Sequence, residues 1–140
     1  MDWILYLFFA VHGRITRTQF WIGLAVLIGV ELAAKSVIDQ FQAVKLGSVV
    51  GLALDYPEFA LAVKRANDRD LSAWAVAAFF LVDGLSGFLD ILGFDQTAPS
   101  LIALVYVWLA VLVVLIADLG FRRGTVGPNR YGPDPLAGSV

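Results

Sequence analysis

Residues 98–119, APSLIALVYVWLAVLVVLIADL, decide the fold class. The stretch carries no charged side chain before Asp118, and it is long enough for a helix to cross a hydrocarbon core of roughly 30 Å. Inside lipid, a helix satisfies its backbone hydrogen bonds within its own segment. The stretch therefore predicts a transmembrane helix, and with it an all-α membrane protein.

The composition of the whole chain points the same way. Of its 140 residues, 59% are apolar and 16% are charged, with a mean hydropathy of +0.79, whereas a soluble domain is about a quarter charged. The net charge of −2 provides no basic field for nucleic acid. The chain has no cysteine and one histidine, His12, so we expect no disulfide, metal site or cofactor. Without a nucleophile–base pair, we expect no enzymatic activity.

Three further apolar stretches precede residues 98–119. The second of the four spans is the weakest because Asp55, Pro57 and Glu58 interrupt it, and an acid at mid-bilayer costs roughly 2.5 to 3.5 kcal/mol on insertion scales. Neighbouring helices would have to shelter these acids. We predict transmembrane helices at about residues 20–37, 46–63, 71–88 and 98–119.

The two ends of the chain are too short or too polar to span. Residues 3–11 are apolar but only about half as long as a crossing requires, which favours a short helix in the membrane interface. Residues 120–140 form a polar tail. We therefore predict one transmembrane domain over residues 1–140.

The basic residues orient the four spans. Basic residues in short loops are retained in the cytoplasm, and only Lys35 and Lys45 fall on the side opposite to the others. Both termini are therefore predicted to be cytoplasmic. The basic residues on that predicted face are Arg14, Arg17, Lys64, Arg65, Arg69, Arg122, Arg123 and Arg130.

Two polar clusters lie beside spans on this predicted cytoplasmic face. In residues 13–21, Arg14 and Arg17 lie one turn apart just before a span, where they anchor the topology or reach lipid phosphates. In residues 64–74, Arg65 and Asp68 are spaced i,i+3, which predicts an ion pair closing a loop between two helices.

A third cluster lies in the tail, at residues 124–135, and contains the element at residues 127–132; the alternative to an ordered segment is a solvated tail. The prolines and glycines around it prevent a helix and favour successive turns. We expect an ordered tail that folds back under the bundle, with Arg130 meeting Asp68, Asp70 or a lipid phosphate. Tyr131 has an apolar ring with a polar tip and suits the membrane interface.

The three clusters resemble, in the same order, the signatures of a bacterial inner-membrane family catalogued as domain of unknown function 805. The closing glycine-proline-asparagine-arginine-tyrosine-glycine element is matched in full. The matching residues are Gly13, Arg14, Arg17, Phe20 and Trp21 in the first cluster, Lys64, Arg65, Asp68, Ser72 and Trp74 in the second, and residues 127–132 in the third.

The chain departs from the family pattern at Ala66, Asn67 and Ala73. Asn67 stands where the family has a histidine, which argues against proton transfer at that position. The resemblance covers nearly the whole chain and implies four spans in a bacterial inner membrane. It supplies no catalytic residues, because that family has no established activity.

Four acids fall within the predicted spans: Glu31, Asp55, Glu58 and Asp83. Ionisable residues at membrane depth suggest a proton or cation path. The alternative is that protonated acids only hydrogen-bond between helices and add polarity to the packing.

Two functions remain compatible with the sequence. The first is an accessory or interaction subunit of a larger membrane assembly, which binds anionic lipid headgroups or other inner-membrane proteins. The alternative is a small transporter or channel for protons or cations that uses the intramembrane acids. The residues expected to contact lipid or a partner are Arg14, Arg17, Arg65, Asp68, Trp74, Asn129, Arg130 and Tyr131.

Overall fold

The computed structural model describes residues 2–41, 44–93 and 99–137. Within these ranges the chain forms α-helices without strands, apart from one isolated bridge between Asn129 and Gly132. The last helix continues into a π-helical turn, Ala117–Phe121. The α-helices are α1 (Trp3–Phe9), α2 (Arg17–Gln40), α3 (Val44–Asp68), α4 (Trp74–Ile91) and α5 (Pro99–Ile116).

Four helices in the described ranges are long and apolar enough to cross a membrane. This confirms the all-α architecture with four candidate spans, including the doubtful second one. The crossing segments are Arg17–Gln40, Lys45–Asp68, Trp74–Ile91 and Leu104–Phe121.

The bounds of these helices differ from the predicted ones. α2 and α3 extend beyond residues 20–37 and 46–63 at both ends, and α4 begins three residues later than predicted. α3 runs through Pro57 without ending, because bundle contacts maintain a helix that has lost one backbone hydrogen bond. Residue 98, where the fourth span was predicted to begin, and residues 138–140, the end of the predicted tail, lie outside the described residues.

The extension of α3 changes the setting of the second polar cluster. Arg65 lies in the last turn of α3 and Asp68 is its final residue. The expected ion pair therefore ends a helix and does not close a loop. The connection to α4 is the short segment that follows, in which Asp70 has a positive φ of 56°.

The start of α2 is fixed by a capping box. The Thr16 hydroxyl accepts a hydrogen bond from the Gln19 amide at 3.2 Å, and the Gln19 side chain accepts one from the Thr16 amide at 2.9 Å. These bonds satisfy two amides that have no partner within a helix. The cap leaves Arg14 just before the helix, pointing toward the end of α3.

The buried core lies at one end of the bundle, which we call the tail end. There α1, the start of α2, the end of α3, the start of α4 and the π-helical turn meet, around Leu7, Ile15, Phe20, Leu61 and Leu119. Elsewhere the helices expose large apolar side chains, as expected of surfaces that face lipid.

Close helix contact depends on a glycine in α2. A Cβ at Gly23 would lie 2.7 Å from Leu61 Cδ1, whereas a Cβ at Gly29 would have no neighbour within 4 Å. An alanine at position 23 would therefore force the almost fully buried Leu61 side chain out of its packed position.

We predict opposite effects from two alanine substitutions in this one helix. Gly29→Ala should be neutral or stabilising, since alanine is favoured over glycine in a helix by about 1 kcal/mol. Gly23→Ala should lower the thermal unfolding temperature of the purified protein, since overpacking costs about 1–3 kcal/mol. Equal shifts for the two variants would contradict the packing described here.

Candidate functional site

The Asp68 carboxylate is buried between two arginines at the end of α3. Its Oδ1 accepts hydrogen bonds from Nε of Arg14 at 3.1 Å and from Nη2 at 3.0 Å, while its Oδ2 accepts one from Nη1 of Arg65. All three side chains are almost completely removed from solvent. We refer to Arg14, Arg65 and Asp68 together as the Asp68 clamp.

Arg14 also holds the tail. Its Nη1 donates to the carbonyl of Gly127 at 2.7 Å and to that of Gly132 at 3.3 Å, and its Nη2 donates to the carbonyl of Thr125 at 2.7 Å. Since the two Nη1 hydrogen bonds reach the first and the last residue of the turn at residues 127–132, one guanidinium fixes both ends of the turn. The glycines at its ends have positive φ angles of 81° and 139°, which glycine adopts without steric cost.

Arg65 binds the other side of the junction. Its Nε donates to the carbonyl of Leu119 at 2.6 Å, and its Nη2 donates to the carbonyl of Arg122 at 2.5 Å. Carbonyls at the end of a helix lack partners within the helix. Arg65 therefore donates hydrogen bonds to carbonyls at the end of the last helix while it pairs with Asp68.

Backbone and amide contacts complete the junction. The Thr125 amide donates to the Asp68 carbonyl at 2.8 Å, and Nδ2 of Asn129 donates to the Asn67 carbonyl at 2.9 Å. A Cβ at Gly124 would overlap the Asp68 carboxylate, so only glycine fits there. Asn67 donates its side-chain amide to the carbonyl of Gly13 at 3.1 Å, which gives it a structural role.

A buried lysine lies next to the clamp. Lys64 is fully buried; its ammonium group donates to the carbonyl of Ala10 and lies 5.5 Å from the centre of the Tyr6 ring. Burial raises the pKa of Tyr6, whose hydroxyl donates to the Arg14 carbonyl at 3.3 Å. Neither Lys64 nor Asn67 was among the predicted contact residues, because basic flanks of a span usually indicate solvent-exposed anchors.

The clamp contains three of the residues that were predicted to contact lipid or a partner. Arg14, Arg65 and Asp68 were expected to contact lipid or a partner, but their side chains bind one another and the backbone. Asn129 is likewise taken up by internal bonds to Asn67 and Thr125. The sequence did not indicate this, because Arg14 and Asp68 are 54 positions apart.

The remaining predicted contact residues lie on the rim. Arg130 pairs with Asp70 at 3.0 Å, one of the three partners named above, and its guanidinium lies 4.8 Å from the centre of the Tyr131 ring. Arg17 donates to the Phe121 carbonyl at 3.2 Å and is otherwise exposed. Trp74 is 82% exposed.

A second polar region lies deeper in the bundle, in a cavity of about 530 Å³ bordered by α2, α3, α4 and α5. Glu31, Asp55, Glu58 and Asp83 all line it, together with apolar and aromatic side chains. We call it the acid cavity. At roughly 1.5 Å per residue, each acid lies about 14 to 21 Å along its helix from the tail end, so the four share one level.

The acids of this cavity are unevenly partnered. The Asp55 and Asp83 side chains lie within hydrogen-bonding reach of each other. Among the residues that the structure describes, Glu31 and Glu58 have no hydrogen bond or ion pair from their side chains. Trp108 also lines the cavity; it stacks on Phe79 at 5.0 Å, and its buried Nε1 has no hydrogen-bond partner among the described residues.

In the described ranges, no group of three histidine, cysteine or acidic side chains is arranged so that it could hold a metal ion. The acid cavity is therefore a polar lining distributed over three helices.

Comparison with known proteins identifies the family. Residues 8–133 match the family described as Protein of unknown function (DUF805). The chain belongs to this family. The uncharacterized protein YiiR of Escherichia coli (strain K12) is 33% identical over 135 residues, which cover 90% of this chain and 86% of YiiR. The inner membrane protein YhaI of the same strain is 28% identical over 145 residues, which cover 99% of each chain.

No solved structure matches the chain. The family match confirms the resemblance that the three clusters suggested. In this member of DUF805, the clusters at residues 13–21, 64–74 and 127–132 are distant in sequence and meet at the Asp68 clamp. The three clusters that resemble the family signatures therefore build the tail end of this chain.

We predict that Asp68→Asn will destabilise the protein far more than Asp70→Asn. Removing one partner of a buried ion pair costs about 3–5 kcal/mol, whereas an exposed pair such as Arg130–Asp70 contributes about 0–1 kcal/mol. Asparagine tolerates the positive φ at position 70, which makes the second variant a matched control. The measurements are the thermal unfolding temperature and amide hydrogen exchange in residues 124–135.

Similar losses from both variants would show that the clamp does not hold the tail. Exchanging Arg65 and Asp68 is not a suitable test, because the exchange would place an arginine at position 68 against Arg14. The shared carboxylate makes that repulsion unavoidable.

Proposed function

We propose that this DUF805 protein is a multi-pass inner-membrane protein that binds a proton or a small cation in its acid cavity. The observation that carries the proposal is that the four intramembrane acids, which come from three helices, line one cavity at one level. A carboxylate at membrane depth is costly unless it is protonated, paired or hydrated. Binding a cation satisfies that requirement.

The distribution of polar groups favours entry of the cation from the end of the bundle opposite the tail. The lining continues toward that end through Ser48, whose hydroxyl donates to the Asp90 carboxylate. At the tail end, the cavity meets the buried side chains of Phe20 and Leu61. Beyond them lies the buried positive charge of Lys64 and the Asp68 clamp, which repels cations.

Packing polarity alone accounts less well for the cavity. Acids that only hold helices together would be paired across the helix contacts, as Asp55 and Asp83 are. Glu31 and Glu58 instead border open volume without such partners in the part of the chain that the structure describes.

The test is the thermal stability of the purified protein at increasing concentrations of lithium, sodium or potassium chloride, repeated at several pH values. A cation that binds only the folded protein stabilises it by about 2.7 kcal/mol at one hundred times its Kd. We expect a stabilisation that depends on which cation is added, and we expect Asp55→Asn and Glu58→Gln to abolish it. Asp39→Asn, an exposed acid in α2 outside the cavity lining, should leave it unchanged.

If the metal cations have no specific effect, proton binding is assessed by infrared titration of the protonated carboxyl groups. A titration that Asp83→Asn does not alter would refute the proposal. Transport is measured separately in proteoliposomes, because binding alone does not require passage through the tail end.

An accessory role is the second candidate, and the rim favours it. Arg17, Arg122, Arg123 and Arg130 are exposed around an ordered tail, and they can contact acidic segments of another membrane protein. Arg17 and Arg123, which form no ion pair with a described residue, can also contact anionic headgroups. Trp74 adds an exposed aromatic side chain to the same end. The test is purification from native lipid. A partner that co-purifies with the wild-type protein but not with an Arg122→Gln, Arg123→Gln double variant would support this role.

We further propose that the tail end faces the cytoplasm, with α1 in the membrane interface. The support is the concentration of basic residues at that end, together with the exposed apolar side chains of Trp3, Ile4 and Phe9 on α1. Since the chain has no cysteine, single cysteines report topology without background. Ala137→Cys and Leu92→Cys lie at exposed positions. An impermeant thiol reagent should reach Ala137→Cys only from the cytoplasmic face of the membrane and Leu92→Cys only from the other face, and the reverse pattern, or reaction of both from one face, would refute the orientation.

A further inference from the structure

A smaller cavity of about 240 Å³ lies at the tail end, between the start of α2 and the tail. Thr16 and Arg17 border it on one side, and Arg123, Thr125 and Leu136 border it on the other. The cavity is separate from the acid cavity: they share no lining residue. Its walls bring together side chains from segments more than 100 residues apart.

The charge in this pocket is positive after internal pairs are taken into account. Asp68 and Asp134 line the pocket along with Arg65, but both oxygens of Asp68 are bound within the Asp68 clamp. The Asp134 carboxylate accepts hydrogen bonds from the amides of Leu136 and Gly127, at 2.9 and 2.8 Å, and these bonds lower the pKa of Asp134. The Asp134 carboxylate remains charged and also interacts electrostatically with Arg14 and Arg123. Three arginines, Arg17, Arg65 and Arg123, and two acids, Asp68 and Asp134, line the pocket, so its lining has a net charge of +1.

Two arginines then remain to receive a ligand. Arg17 uses one Nη1 bond for the Phe121 carbonyl, and Arg123 has no hydrogen bond or ion pair with the residues that the structure describes. Both are exposed. Planar guanidinium groups bind phosphate oxygens with two parallel hydrogen bonds.

An apolar surface continues from this pocket along the bundle. The Trp21 and Phe121 rings are in contact, with centroids 5.4 Å apart, and Phe121 is 67% exposed. Trp21 Nε1 donates to the Gly120 carbonyl at 3.0 Å, which fixes the ring. Arginines beside a fixed aromatic pair, at the end of a transmembrane helix, match the phosphate and upper acyl region of a phospholipid.

We propose that this pocket binds a phosphate group, held by Arg17 and Arg123, and that the group belongs to an anionic phospholipid. The inference narrows the general lipid contact proposed for the rim to one pocket. It does not depend on cation binding in the acid cavity.

The experiment measures phospholipid retention by the full-length protein with native mass spectrometry. The purified protein is delipidated and then supplied with phosphatidylglycerol or phosphatidylcholine. We expect one phosphatidylglycerol molecule to be retained in preference to phosphatidylcholine, and Arg17→Gln or Arg123→Gln to weaken retention by about tenfold each, as expected for a lost charge-assisted hydrogen bond. Arg17→Lys should weaken it less, since it keeps the charge.

Arg122→Gln is the matched control. Arg122 is the exposed neighbour of Arg123, pairs with Asp118 at 2.8 Å and does not line the pocket. Equal losses from Arg122→Gln and Arg123→Gln would show a diffuse surface charge effect and overturn the pocket, as would unchanged retention in the Arg17→Gln, Arg123→Gln double variant.

A second arm adds inorganic phosphate to the delipidated protein and follows its thermal unfolding. If inorganic phosphate stabilises the wild-type protein but not the double variant, the phosphate site is supported. If phosphatidylglycerol is then not preferred over phosphatidylcholine, the lipid source is rejected in favour of free phosphate. All the substituted side chains are exposed, so we expect every variant to fold. The same unfolding curves check this.

Discussion

The buried contact between the Asp68 carboxylate and two guanidinium groups is the constraint on which the tail end depends. A buried charge is tolerated only when it is paired and hydrogen-bonded, and here each oxygen of Asp68 has its own arginine. Arg14 comes from the segment before α2, Arg65 from α3, and their remaining donors bind the tail and the π-helical turn. None of these segments can shift without leaving a donor or a charge unsatisfied.

This constraint divides the bundle into two electrostatically different parts. The tail end contains the buried positive groups and the apolar core, whereas the acid cavity lies about 14 to 21 Å further along the helices. α3 joins the two parts, since it carries Asp55 and Glu58 in its middle and Lys64 and Arg65 near its end. Charges of opposite sign are thus separated along one helix. This separation of charge is the electrostatic basis of the cation binding that we propose for the acid cavity.

Sequence reasoning predicted the parts of the structure that depend on local composition. The four apolar stretches gave the spans, and the i,i+3 spacing of Arg65 and Asp68 predicted their ion pair. It did not predict Arg14 as the second partner of Asp68, because arginines before a span indicate an anchor whether or not a carboxylate lies nearby. Nor could it assign Gly124, whose role depends on the approach of the Asp68 side chain.

The positions of the four acids in the spans could also be predicted only in part from the sequence. Asp55 and Glu58 share a helix face because they are three residues apart, and counting along the helices places all four acids at a similar level. Whether Glu31 and Asp83 turn toward them depends on the rotation of α2 and α4. That rotation is set by long-range contacts, such as that between Gly23 and Leu61, which no local pattern encodes.

The distribution of packing also determines where the bundle can respond to a bound cation. At the tail end, the clamp fixes α3 to the last helix and to the segment before α2. Pro57 lies between Asp55 and Glu58 and removes one backbone hydrogen bond from α3 at that point. Helices bend most readily where such a bond is missing. We therefore expect a change of charge in the acid cavity to move the half of α3 before Pro57 relative to the fixed half that ends at Asp68.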